Sequence, residues 1–233
     1  VFAKPDDGYN YTIQISKTQE NNKLIANIKA LVQDLDKLMI EETNELPRIY
    51  FDKHLYLPIL LRDTKIEKMH PEGLVESEKE FISGLKKYLM NKNEFTNREI
   101  YLLRNFPKSG IGFFNLSGFY PDFIMWVKYQ NKQIICFLDP KGLEHQKSLD
   151  SEKVQLHKEI KEIEKQLGNK DIILESFVLS ITPYDSLIKG LVNPTSQKEY
   201  ENNHILFLGS IWSGWQDRLF DILEKSISAN NSE

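Results

Sequence analysis

The sequence predicts an α/β fold: a mixed sheet with helices on both faces, preceded by a helical N-terminal extension. Three observations predict it. From residue 74 onward the order of elements reads helix, three strands, helix, strand. The second and third strands are joined only by Gln130-Asn131-Lys132, which suits a hairpin. The third strand is apolar on both faces, so it belongs in the middle of a sheet covered from both sides.

Residues 1–17 read as irregular or strand-like. Residues 21–40 place Leu24, Ile25, Ile28, Leu31, Val32, Leu35, Leu38 and Met39 at helical spacing. Such a helix packs on its own domain, or else serves as a coiled-coil arm or a dock for a neighbour. Pro47 and Pro58 bracket an apolar stretch, 49–59, read as extended. These segments form the extension, residues 1–70. The main domain is expected over 71–227 and a disordered tail over 228–233.

A helix over 74–90 is marked by Leu74, Phe81, Ile82, Leu85, Tyr88 and Leu89. Glu78 falls on that apolar face and points inward, where a carboxylate is costly unless a partner or metal compensates it, the alternative being a helix-flank glutamate that reaches solvent. Strands follow at 100–104, 123–129 and 133–138, with Cys136 facing the core. The next helix, 150–167, carries the stripe Leu156, Ile160, Ile163 and Leu167 and stops at Gly168-Asn169. Its lysines, 153, 158, 161 and 165, alternate with glutamates and read as a solvated face, with Lys153 within reach of a phosphate. A long β-branched strand, 172–181, leads to a polar loop, 183–203, then a short strand, 205–208. A final helix spans 212–226, with Trp212 and Trp215 packed in the core.

Composition narrows the function classes. The chain has 233 residues, 40% hydrophobic and 27% charged, which suits a globular domain of some size. No apolar run is long enough to span a bilayer. The N-terminus lacks the basic start and apolar stretch of a signal peptide, and a start at Val1 fits a piece of a longer protein. A single cysteine excludes an internal disulfide and a cysteine-based zinc cluster. These features point to the cytoplasm. The formal net charge of -4 argues against tight, free-standing DNA binding but not against a metal-dependent nuclease, which needs local acidity.

The chemistry is carried by Pro121-Asp122 at the start of one strand and Asp139-Pro140-Lys141 at the end of its hairpin partner. Sixteen residues separate the aspartates. Hairpin pairing then sets the two carboxylates side by side, and like charges that close repel unless a cation lies between them. Oxygen-only ligation suits Mg²⁺ or Mn²⁺. Asp139 and Lys141 are two apart, so they share a face of an extended strand. Pro140 cannot donate a ladder hydrogen bond, so the strand is expected to end there with the carbonyl of residue 140 open to a metal. Glu78 supplies a third carboxylate. The plain structural alternative is an ion pair of Asp139 with Lys141 and a turn capped by Asp122. His145 reads as a loop histidine, with a phosphate contact as the alternative. The 108–112 loop either approaches a DNA backbone or is a flexible hairpin turn, and His54, His70, His157 and His204 show no ligand spacing.

At these residues the chain resembles a known family. The strings Leu102-Leu103-Arg104-Asn105, Gly112-Phe113-Phe114, Gly118-Phe119-Tyr120-Pro121-Asp122-Phe123-Ile124 and Phe137-Leu138-Asp139-Pro140-Lys141-Gly142-Leu143 resemble the C-terminal endonuclease domain of type III restriction enzyme Res subunits. Helicase–nuclease fusions of the DEAD/DEAH kind carry similar segments. His54-Leu55-Tyr56-Leu57-Pro58-Ile59-Leu60 and Glu76-Ser77-Glu78-Lys79-Glu80-Phe81 resemble motifs upstream of that nuclease. The likeness covers residues 54–145 and implies a restriction-endonuclease-like, PD-(D/E)XK core that cuts double-stranded DNA with Mg²⁺, Mn²⁺ substituting. It implies Asp122, Asp139, Lys141 and Glu78 as catalytic residues, and Asp122, Asp139, Glu78 and the Pro140 carbonyl as metal ligands. It also implies a helicase motor and a methyltransferase subunit as partners. No Gly-x-x-x-x-Gly-Lys-Ser/Thr phosphate loop occurs, so no motor is expected in this chain. A non-catalytic module for docking or nucleic-acid binding on the same fold is the alternative.

Overall fold

A computed structural model describes residues 12–33, 48–49, 59–60, 65–70, 72–91, 99–105, 111–113, 119–143, 149, 152–209 and 214–230. His54, His145, the 106–110 loop and Trp212 lie outside the described residues, as do the second half of the 21–40 helix and the end of the tail.

The described part of the extension holds α1 (Asn22–Gln33) and two short antiparallel pairs. β1 (Thr12–Gln14) pairs with β4 (Lys68–His70), and β2 (Arg48–Ile49) pairs with β3 (Ile59–Leu60). Ile49 pairs antiparallel with Ile59, so the segment expected to run extended over 49–59 turns back on itself between the two, because these two short strands pair with each other.

The main domain opens with α2 (Glu76–Asn91). It continues with β5 (Glu99–Arg104), β6 (Phe123–Tyr129), β7 (Lys132–Lys141), α3 (Glu152–Leu167) and β8 (Ile172–Ser180). The described residues form a five-stranded sheet in the order β5-β6-β7-β8-β9, where β9 is Ile205–Phe207. β5, β6 and β7 run antiparallel, whereas β7, β8 and β9 are parallel. The sheet is mixed because α3 carries the chain back across it between β7 and β8.

Side-chain alternation sorts the layers. Met125, Cys136, Leu138 and Phe177 pack against Phe81, Ile82 and Leu85 of α2 and Leu219 and Leu223 of α6 (Trp215–Asn230). On the opposite face Ile124, Phe137 and Leu174 pack on Leu156 and Ile160 of α3. Burying each such side chain contributes roughly 1.5–3 kcal/mol. Trp215 sits in the first layer, 5.8 Å from Phe81, as a core residue.

Three expectations need correction. The strand expected to stop at residue 138 runs on through Pro140 to Lys141. Asp139 and Lys141 direct their backbone groups to β8, where Ile181 N–H donates to the Lys141 carbonyl. Pro140, one residue out of phase, directs its missing donor away from β8 and costs that ladder nothing. The loop expected over 183–203 contains α4 (Tyr184–Ile188) and α5 (Gln197–Asn202), which bury Leu187 and Tyr200. Ser196 caps α5 by accepting from Glu199 N–H at 3.2 Å. Finally, α6 extends to Asn230, over residues expected in the tail. Lys132 reaches across to bond Asn230 Oδ1 at 3.0 Å.

Candidate functional site

Three strands build the site at one end of the sheet. Phe123 pairs with Leu138, so the register continued by one step sets Asp122 opposite Asp139, both on the α3 face. A further step sets Pro121 opposite Pro140. That pair would exchange two hydrogen bonds, but neither residue has an N–H, so the ladder ends at Phe123 and Leu138 and offers the Pro140 carbonyl no donor. Lys141 shares the face of Asp139, and its Nζ lies 3.0 Å from Asp139 Oδ2. Asp139 is only 5% exposed. Asp122 is half-buried.

The segments around these residues are pinned. Thr182 Oγ1 accepts from Leu143 N–H at 3.0 Å, and Ser180 Oγ donates to the Thr182 carbonyl at 2.9 Å. The turn after Lys141 is thereby tied to the end of β8. Gly112 is required by its neighbour, since a Cβ there would stand 2.5 Å from the Tyr120 ring. Neither Thr182 nor Ser180 carried a motif in the sequence. The Ser180 bond is local, two residues along, but the partner of Thr182 is 39 residues away and is brought in by the parallel pairing of β7 with β8.

Glu78 is buried, as its spacing indicated, but its partners differ from those expected. Arg104 Nη2 lies 3.1 Å from Glu78 Oε2, and Val75 N–H donates to the same oxygen at 2.8 Å. This is half of a capping box, with a glutamate in the first turn of α2 reaching back to the residue before it. Arg104 also donates to the Glu72 carbonyl. Arg104 lies in phase with Ile100 and Leu102, on the α2 face, whereas Asp122 and Asp139 lie on the other. The structure therefore brings Asp139 and Lys141 together, leaves Asp122 one step beyond the last β6–β7 pair, and assigns Glu78 to Arg104 and the helix start. Glu78→Ala should lower stability by about 2 kcal/mol in urea unfolding, through the lost charged hydrogen bonds. A variant as stable as wild type would show the pair to be idle.

Among the described residues no group of three or more His, Cys, Asp and Glu side chains forms that could hold a metal. The oxygen donors present are the two aspartates and the freed Pro140 carbonyl. That set suits a hard divalent cation that keeps several waters.

A second charged cluster escaped the sequence reading. Glu175, 1% exposed, faces Lys161 Nζ at 2.7 Å and Ser226 Oγ at 2.6 Å, with His204 Nδ1 at 3.5 Å. β9 pairs only with the last residues of β8, so the earlier part of β8 is an open edge. Glu164 covers it by accepting from Leu174 N–H at 2.6 Å, and His204 Nδ1 donates to the Ser176 carbonyl at 3.0 Å. Lys161 and Glu164 are thus drawn off the solvated face expected of them. The His204 ring stacks on Phe177 and lies 4.8 Å from that of His157.

Burial holds the imidazoles of His157 and His204 below the usual value of 6.5, against the opposing pull of Glu175. The folded state prefers both neutral, so their contribution is present above pH 6.5 and is lost as pH falls below it. The melting temperature should drop between pH 7 and pH 5.5, less steeply in His204→Gln. An equal slope in both proteins would assign the acid sensitivity elsewhere.

Compared with known proteins, the chain matches no family model, no curated protein and no solved structure. No helix among the described residues is long and apolar enough to cross a membrane.

Proposed function

We propose that this chain is a Mg²⁺-dependent endonuclease domain of restriction-endonuclease-like, PD-(D/E)XK type that hydrolyses DNA phosphodiester bonds. The observation that carries this reading is the register of β6 and β7. Carried one step beyond the last pair, Phe123 with Leu138, it would set Asp122 beside Asp139, whose Oδ2 lies 3.0 Å from Lys141 Nζ. The resemblance to type III restriction endonuclease domains supports the same residues. It also supports a place as the cleavage module of a type III restriction-like or helicase-linked defence system. The motor and the methyltransferase subunit would sit on other domains or chains.

In this mechanism Asp122, Asp139 and the Pro140 carbonyl would hold Mg²⁺ or Mn²⁺. A bound divalent cation lowers the pKa of its water and screens the phosphate. Lys141 presents a positive charge at the same face, orients the attacking water and stabilises the charge that gathers on the phosphorane oxygens. Burial of Asp139 keeps bulk water from screening these interactions. The net charge of -4 leaves the grip on the duplex to a partner domain.

The test is cleavage of plasmid and linear duplex DNA by the chain with Mg²⁺ or Mn²⁺, beside Lys141→Ala and Asp122→Asn. Cutting that both substitutions abolish supports the reading. Metal binding without cutting would mean that the motor or partner is needed. Neither binding nor cutting would leave the fold as a non-catalytic docking module.

A further inference from the structure

We infer that Asn105 is the positioning residue for Asp122, an inference that rests on the nuclease reading above. Asn105 follows the last residue of β5 and is 5% exposed. Its backbone N–H donates to the Asp122 carbonyl at 2.8 Å. Its side-chain Nδ2 donates to the Pro121 carbonyl at 2.8 Å and to the Ile111 carbonyl at 2.8 Å, and its Oδ1 accepts from Ile111 N–H at 2.9 Å. Every polar group of the amide is used, and the amide has one possible orientation, since both carbonyls require donors.

The site needs such a fastening at this point. From the β7 side the strand carrying Asp122 is held only as far as Phe123, because Pro121 and Pro140 cannot bond each other. The peptides on either side of Asp122 are instead held from the β5 side, both through Asn105. Rotation of either peptide would swing the Asp122 carboxylate relative to Asp139. The same side chain ties the segment at Ile111 to the site, so one residue sets both the first carboxylate and the chain that runs past it.

The test uses Asn105→Asp, Asn105→Ala and Asn105→Ser, each assayed below its own melting temperature. Asn105→Asp keeps the acceptor for Ile111 but loses both donations, whereas the serine hydroxyl can restore one. The readouts are the half-saturating Mn²⁺ concentration, the single-turnover cleavage rate and the KM for DNA. The Asp and Ala variants should raise the Mn²⁺ half-saturation about ten-fold and slow cleavage roughly 10–100-fold, as lost support of a ligand does. The KM should stay within about two-fold, and Asn105→Ser should fall between them and wild type.

A purely structural role would lower the melting temperature and the folded fraction while leaving the Mn²⁺ half-saturation unchanged, and that result would overturn the inference. If the wild type binds Mn²⁺ but does not cut, the Mn²⁺ arm decides alone. If the wild type neither binds nor cuts, the nuclease reading fails and takes this inference with it. Should the Asp and Ala variants not fold, Asn105→Ser with unaltered Mn²⁺ half-saturation would still reject the positioning role.

Discussion

On the nuclease reading proposed above, Asp139→Ala is expected to reduce metal-dependent cleavage by about 10³-fold and to remove Mn²⁺ binding, the largest functional effect of any single substitution in this chain. Two physical roles converge on that carboxylate. It is more buried than Asp122, so its charge acts with little solvent screening. It is also the counter-ion of Lys141, at 3.0 Å. Removing it takes away a proposed metal ligand and leaves a largely buried ammonium without that partner, which costs stability as well. The two losses separate experimentally. Asp139→Asn keeps the shape and removes the charge. Combining Asp139→Ala with Lys141→Met removes both charges of the pair and should recover stability but not cleavage. Cutting by Asp139→Ala within ten-fold of wild type would sink the assignment of the site.

Glu175→Ala should have the largest effect on stability, a loss of about 3 kcal/mol in urea unfolding at pH 7.5. The carboxylate joins α3 and α6 across the open edge of β8, through Lys161 on one side and Ser226 on the other. Without it Lys161 keeps Glu164 at 3.0 Å and a route to water, so the cost falls at the lower end for a broken buried pair. Replacing both charged partners, Glu175→Leu with Lys161→Met, should return most of the loss, because neither residue is then a buried charge lacking its mate. A single substitution costing under 1 kcal/mol would mean that water already reaches the pair.

Why did Glu175 escape notice while Asp139 did not? Asp139 interrupts an apolar strand next to a proline and a lysine at short spacing, so its neighbours along the chain reveal it. Glu175 sits inside the run Ile172-Ile173-Leu174 and Phe177-Val178-Leu179, and its cation is on another element. Asn105 illustrates the same division. Its presence after β5 was legible, but its bonds to Pro121, Asp122 and Ile111 follow from strand pairing across a connection whose course the sequence does not specify. Glu78 shows the reverse case. Its inward direction was legible from helical spacing, yet the choice between Arg104 and the aspartates depended on which face of the sheet α2 covers.

Periodicity by itself determined the α/β order, the β6–β7 hairpin, the burial of β7 and the inward face of α2, because these depend on residues a few positions apart. It also put Asp122 and Asp139 at the same end of that hairpin, but the register came from the structure, where Tyr129 pairs with Lys132 and the turn is two residues rather than the expected three. The tertiary structure alone decided which helix lies on which face, that β7 continues through Pro140 by bonding β8, and that Glu78 pairs with Arg104. The reason is the same in each instance. Such choices depend on groups far apart in the chain, whose pairing is settled by packing and by the demand that buried charges and backbone groups find partners.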